Sequence, residues 1–432
     1  MVGYRASVRS FSRDVVLYIL AWGAISFAYG GVQSVLLALY LLRLGYGPEF
    51  IGVFIGAGQL VWALSALPAG AFGARYGLRR AMLVGVAIIV AANVLLLSAE
   101  ALPGTWRSAW LLGAWMLDWV GAALWVVNST PYLMGATTDE GRGHAFALQQ
   151  AVIAVTAFAG SVVAGWLPGV IAGRMGVTDA AAAPYRYALW AAPAVFLMAG
   201  LLISGTRRVE PVARGVTGPA APRAPVAILV MVGLLVFLQT VGDGAGRSFF
   251  NLYLDDGLGV GTASIGALAG IARLLPVVAA LAAPVLFRRR GVPGAFRLAL
   301  VVLVGALALL GLVPNMWAAS AALMGVMASA AVSEPARSIL SQAAVAPSER
   351  GAMSAMVTMG TGLGWASTAA VGGYVIARAG YDTLFLLGAA CVVAALGLFA
   401  AFCRLGRAVR GGGALCDLYL GREAAPQEAP SE

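Results

Sequence analysis

The sequence predicts an all-α integral membrane protein of twelve transmembrane helices, arranged as two six-helix pseudo-repeats. Three observations carry that prediction. Of the 432 residues, 61% are hydrophobic and only 11% are charged, against about 25% charged in an ordinary soluble domain. The mean hydropathy is +0.89. Apolar stretches of roughly 20 residues, the length that crosses a bilayer as a helix, recur along the whole chain. Finally, the second half can be laid over the first with a shift of 214 residues. This composition argues against a soluble enzyme, a disordered regulator and a nucleic-acid-binding protein.

The spans fall at about 15–42, 51–72, 81–98, 109–134, 145–172 and 187–205 in the first half. In the second they fall at about 226–254, 263–287, 296–314, 317–343, 352–377 and 383–403. A transmembrane β-barrel would need shorter strands of alternating polarity. Residues 1–13 form an N-terminal tail, and the first span is too long for a signal-peptide core and lacks a convincing cleavage site, so it is expected to remain. Residues 14–206 and 226–404 are the two six-helix halves. The Pro-, Gly- and Arg-rich stretch 207–225 reads as a linker. The tail 405–432 is expected to be disordered and carries no lipidation motif.

All 28 basic residues are Arg. With the N-terminus inside, 20 lie in inside segments, 5 lie outside (Arg43, Arg107, Arg174, Arg186 and Arg378), and Arg247, Arg273 and Arg337 lie within spans. The positive-inside rule then places both termini in the cytoplasm. The absence of Lys and the abundance of Ala suit a GC-rich bacterial genome, hence the inner (plasma) membrane of a bacterium. Three Cys and one His, His144, provide neither a disulfide framework nor a metal site, and no cofactor is expected. His144 reads as a solvated loop residue.

The repeat is clearest where it is punctuated. Ile51-Gly52 at a helix entry matches Ile265-Gly266, Arg75-x-Gly77 at the exit matches Arg289-x-Gly291, and Arg142-Gly143 corresponds to Arg350-Gly351. Two parallel six-helix repeats with a site at their interface are a transporter design. The loop between spans two and three reads Gly70-Ala-Phe-Gly-Ala74-Arg75-Tyr-Gly77-Leu-Arg79-Arg80. Gly70 permits close helix packing, Gly77 a tight turn, and the Arg side chains face anionic lipid or the end of a neighbouring helix.

With that loop, twelve spans and the repeat, the chain from about 15 to 404 resembles the major facilitator superfamily. The family pattern has Asp-Arg where this chain has Ala74-Arg75. The resemblance implies that the Asp helps latch the halves on the cytoplasmic side, so the usual latch is missing here. The Arg typical of span four in drug–proton antiporters is also absent: Leu117 stands four residues before Gly121. In span five, Ala164-Gly165-Trp166-Leu167-Pro168-Gly169 only loosely resembles the exporters' Gly-Pro signature.

Six ionisable side chains lie within spans: Asp118, Asp243, Arg247, Arg273, Glu334 and Arg337. Each costs on the order of 2.5–3.5 kcal/mol at a helix centre, so it is expected to face a cavity or a partner. Asp243 and Arg247 are four apart, and Glu334 and Arg337 three apart, each pair on one helical face. These spacings are equally those of structural ion pairs. Asp118 has no local neutraliser, and Arg273 could either bind an anionic substrate or neutralise Asp118. The resemblance implies that spans one, four, seven and ten line a central cavity, which would place Asp118, Asp243 and Glu334 there. A carboxylate in a low-dielectric cavity can take up a proton and release it when a substrate or an Arg arrives.

Gln33, Gln59, Asn128 and Gln239, with several Trp, add a mixed amide and aromatic lining suited to an amphipathic organic molecule. Buried amides equally serve to join helices. No residue is a catalytic candidate. The leading expectation is a monomeric secondary transporter that exports a small organic or drug-like compound, with protons as coupling ion. Uptake or facilitated diffusion of an organic anion or sugar, with Arg273 and Arg247 as anion ligands, is the alternative. A membrane receptor or scaffold without flux is a third.

Overall fold

The computed structural model describes residues 11–178, 180–207, 226–345 and 350–409. The predicted tails beyond these limits, and nearly all of the predicted linker, lie outside the described residues. Every regular element among the described residues is helical. The first half contains α1 (Arg13–Arg43), α2 (Pro48–Tyr76), α3 (Leu78–Leu97), α4 (Gly104–Ala136), α5 (Asp139–Met175) and α6 (Ala182–Ser204). In the second half α7 runs over Val226–Ser248 and continues through Phe250–Leu252 and a π turn, Tyr253–Gly257. The run Thr262–Leu312 bends at Gly291 into α8 (262–290) and α9 (292–312). Then come α10 (Met316–Ala343) and the run Arg350–Val409, which bends at Gly380 into α11 (350–379) and α12 (381–409). Ten helices are long and apolar enough to cross a membrane when taken as continuous runs. Two features account for the difference from the expected twelve: the run through Gly380 counts once, and Thr262–Pro276 of α8 counts as a shorter apolar helix.

Local chemistry sets the helix ends. Ser12 caps α1, its hydroxyl accepting from the Val15 N–H, and Asp14 lies in the first turn. Pro48 opens α2 at a position where its missing N–H costs nothing. Gly77 closes α2 at φ +95° and starts α3, which confirms the tight turn read from the sequence. Its repeat partner Gly291 also has positive φ, at +69°. The Asn315 side chain caps α10 by accepting from the Ala318 N–H.

Two compact units emerge. The described part of the first comprises 11–207 together with 248–277 and 365–381. The second comprises 226–247, 278–364 and 382–409. The core of the first unit is built on Tyr18, Ile25, Met82, Ile89, Trp125, Tyr132 and Phe196, all buried. Small residues bring its helices together. A Cβ added to Gly31 on α1 would collide with Gly160 on α5, and one added to Gly85 on α3 would stand 2.7 Å from the Gly121 carbonyl oxygen on α4. In the second unit, a Cβ on Gly360 of α11 would stand 2.6 Å from the Gly233 carbonyl oxygen of α7. There the Ser329 hydroxyl of α10 donates to the Ala299 carbonyl of α9 over 2.6 Å.

Candidate functional site

Asp118 lies midway along α4 and is 1% exposed. It lies inside the first unit rather than on an open wall. Its Oδ2 accepts from the Tyr29 hydroxyl of α1 at 2.6 Å, and its Oδ1 accepts from Asn93 Nδ2 of α3 at 2.7 Å. The same Asn93 amide donates to the Ile89 carbonyl at 2.9 Å, while its Oδ1 accepts from Gln33 Nε2. Gln33 Oε1 is buried with no hydrogen-bond partner. The Asp118 charge is therefore met by neutral donors, and these bonds, rather than Arg273, satisfy it. Aromatic rings surround the cluster: Tyr29 packs on Phe196 at 4.7 Å between centroids and near Trp119 at 6.5 Å. Trp119 in turn meets Trp115 edge-on at 5.7 Å and Trp62 at 6.4 Å.

The backbone explains why Tyr29 and Gln33 both reach this point. Residues Phe27–Gln33 form a π-helical segment within α1. A π turn carries an extra residue and often marks a functional position. In this turn, side chains four apart both face α3 and α4. Arg273 of α8 comes close to the same segment, with Nη1 3.7 Å from where a Cβ on Gly30 would stand.

The second unit holds the other charges. Arg247 Nη1 and Asp243 Oδ2 form the predicted i,i+4 ion pair at 2.8 Å, while Asp243 Oδ1 is buried with no hydrogen-bond partner. The Gln239 amide, one turn before, donates to the Ser333 hydroxyl at 2.9 Å. Glu334 and Arg337 do not form the local pair that their spacing allowed. Glu334 is exposed, whereas Arg337 is half-buried and lines a largely apolar pocket with Met231, Leu235, Phe296, Leu340 and Phe399. Pro335 lies between Glu334 and Arg337 inside α10.

Asn128 is a tether rather than a lining residue. Its amide donates to the Ala69 carbonyl of α2 at 3.0 Å and to the Leu124 carbonyl at 2.9 Å. Gln59 is half-buried on α2. In the loop motif, Arg79 caps the end of α6 by donating to the Ile203 and Ser204 carbonyls. Arg75 lies over the Tyr76 ring, and Arg80 is exposed. Gly70 does not mediate the close approach expected of it: a Cβ there would meet only Val127, at 3.5 Å. Gly73 is the tight position, against Asn128.

A second polar cluster, which the sequence did not single out, gathers at the end of the bundle away from the N-terminus. Arg43 of α1 makes a bidentate pair with Asp255, at 2.7 and 2.8 Å, and lies over the Tyr185 ring. The Tyr185 and Thr262 hydroxyls share a hydrogen bond of 2.8 Å, and Tyr381 donates to Asp256 at 2.9 Å. Glu100 accepts from Tyr40 and Arg186. Deeper in, the Asn251 amide donates to the Ser34 carbonyl at 2.6 Å.

No family model matches the chain, and no curated protein matches it by sequence. Solved structures do match it in fold. A mutant form of the nucleoside transporter NupG aligns with a TM-score of 0.71 at 14% identity, over 90% of this chain and 99% of that one. A bacterial homologue of the human lysosomal transporter Spinster, inward-facing and occupied, aligns at 0.67 and 16%, over 93% and 97%. The xylose transporter XylE from E. coli, inward open, aligns at 0.69 and 13%, over 90% and 96%. The chain shares the fold of these transporters.

Proposed function

We propose that this protein is a secondary transporter that moves a small organic molecule by alternating access and couples the movement to protons, with export as the direction. The fold and its transporter neighbours support transport as the class. The observation that carries the coupling is the cluster of Asp118 with Tyr29, Asn93 and Gln33, which joins the one carboxylate inside α4 to the π segment of α1. Asp118 is screened from water and has both oxygens engaged, so it suits a proton better than a substrate. A bound proton cancels its charge and weakens its hold on the Tyr29 hydroxyl, because bonds to ionised acceptors are the stronger ones. That releases one of the two side-chain hydrogen bonds by which Tyr29 and Gln33 tie the π segment to α4 and α3. Substrate contacts fall to Glu334, which is exposed, and to the Asp243–Arg247 pair. The protein works as a monomer in the inner membrane of a bacterium, both termini cytoplasmic, which places the Arg43 end outside.

The test uses everted membrane vesicles holding an acid-inside gradient reported by a fluorescent dye. Lipophilic cations, organic anions and sugars are added in turn, for the natural protein and for Asp118→Asn. Proton efflux triggered by a cation and lost in Asp118→Asn is the expected result. No proton movement with any class, alongside uptake of a labelled anion or sugar, would overturn coupling and leave a facilitator using Arg273 and Arg247.

A further inference from the structure

One charge within the spans has no part in the proton cluster or the substrate contacts: Arg337. It lies on α10 six residues before the helix ends at Ala343, about 9 Å along the axis at 1.5 Å per residue. It borders a pocket inside the second compact unit, enclosed by α7, α9, α10 and α12. Val232 and Leu235 of α7, Phe296 of α9, Ser341 of α10 and Phe399 of α12 form buried walls. Met231, Leu340 and Arg337 itself are half-buried, which puts the opening beside them. Among the described residues, no acid lines this pocket.

Among the described residues, the Arg337 guanidinium makes no hydrogen bond and no ion pair. Asp243 is taken by Arg247 at 2.8 Å, Glu334 is exposed, and both acids act on Arg337 only at a distance. A cation held against hydrocarbon without a contacting counter-charge is costly, and in a membrane span it marks a place where an anion arrives. The surroundings suit one. Ser341 stands one turn beyond Arg337 on the same helical face, and its hydroxyl makes only a 3.1 Å bond to the Ser338 carbonyl, which it can exchange for a better acceptor. Arg297 of α9 lies over the Phe399 ring, 5.5 Å from its centroid, and adds positive charge behind the wall that Phe399 and Phe296 form at 5.0 Å. Size narrows the choice of anion. The cavity volume is about 30 Å³, and a water-sized atom needs about 10–15 Å³. That admits the three heavy atoms of a carboxylate but not the five of a phosphate. The planar fork of a guanidinium also matches a carboxylate with two parallel bonds.

We infer that the Arg337 pocket is a binding site for a carboxylate borne on a hydrocarbon chain. Arg337 holds the head group with Ser341 beside it, and Met231 and Leu340 at the opening meet the first carbons of the chain. The bound carboxylate neutralises the guanidinium and ties α10 to the three helices that share the pocket. Such a ligand reaches the site either from water, as a soluble carboxylate, or from the bilayer, as a fatty acid. The residues assigned to substrate, Glu334 and the Asp243–Arg247 pair, do not line this pocket. It is therefore a separate site, and its test needs no transport.

The full chain in lipid nanodiscs is dialysed against radiolabelled octanoate, with empty discs as background. Saturable binding of a single octanoate per chain is expected. Octanol, which lacks the charge, and octyl phosphate, whose head exceeds the cavity, should not displace it. Oleate carried in the disc lipid separates the two sources: displacement assigns the ligand to the bilayer, and no displacement assigns it to the water phase. Arg337→Met is expected to weaken octanoate binding about tenfold or more, the loss of a charge-assisted bond. Without octanoate it should melt at or above the parent temperature, because an uncompensated charge has gone. Arg337→Lys keeps the charge without the fork and should bind between the two. No saturable binding to the parent would overturn the inference. So would binding unchanged in Arg337→Met, or displacement by chloride or octyl phosphate as readily as by unlabelled octanoate. An Arg337→Met that melts well below the parent, or does not fold, would also overturn it, since that marks Arg337 as packing.

Discussion

The Asp118 carboxylate depends on two neutral donors, and each can be removed separately. Tyr29→Phe takes away the bond to Oδ2 and leaves a buried acceptor short of one partner, which costs about 1–3 kcal/mol. We expect the variant to unfold earlier in detergent and to show a weakened proton signal in the dye assay. Asn128→Ala tests the opposite case. It removes the tether from α4 to the Ala69 carbonyl, so stability should fall by a similar amount while substrate-triggered proton movement persists. An unchanged melting temperature in Asn128→Ala would show that the tether contributes nothing. The sequence exposed Asp118 clearly, because an acid without a local counter-charge stands out in an apolar span. It did not expose Tyr29 or Asn93. Helical periodicity says which residues share a face but not which face meets another helix. Asn93 was the readable clue that went unused, as an amide in an otherwise apolar third span needs a partner.

Helix boundaries were largely legible, because Pro48, Gly77, Asn315 and the Arg runs punctuate the apolar stretches. Gly77 offers a clean test. A Cβ there would touch nothing within 4 Å, so any penalty in Gly77→Ala comes from the backbone at φ +95° alone. We expect a loss of about 1–3 kcal/mol, read as a lower unfolding midpoint. An unperturbed midpoint would mean that the turn relaxes at no cost. The interior of the helices was less legible. Nothing in Phe-Ala-Tyr-Gly-Gly-Val-Gln announces a π segment. Similarly, no spacing rule says that Arg337 lines an apolar pocket with Phe296 and Phe399.

Across the whole molecule, charge read as orientation proved also to be contact. Arg43 entered the sequence reading only as one of five outside arginines, yet it forms the bidentate pair with Asp255, 212 residues away. Asp255→Asn should lower the melting temperature in detergent, and the exchange Arg43→Asp with Asp255→Arg should return it toward the parent. An exchange that melts with the single variant would show that the pair contributes nothing to stability. The pair was invisible in the sequence because it joins residues that only the fold brings together.

The Arg43–Asp255 pair has one more consequence, for salt. Its side chains are only 20% and 8% exposed, and charges so withdrawn from solvent are screened by dissolved ions far less than charges on a surface. The contact between the ends of α1 and α7 should therefore hold nearly unchanged between dilute and concentrated salt, where surface charge pairs fade.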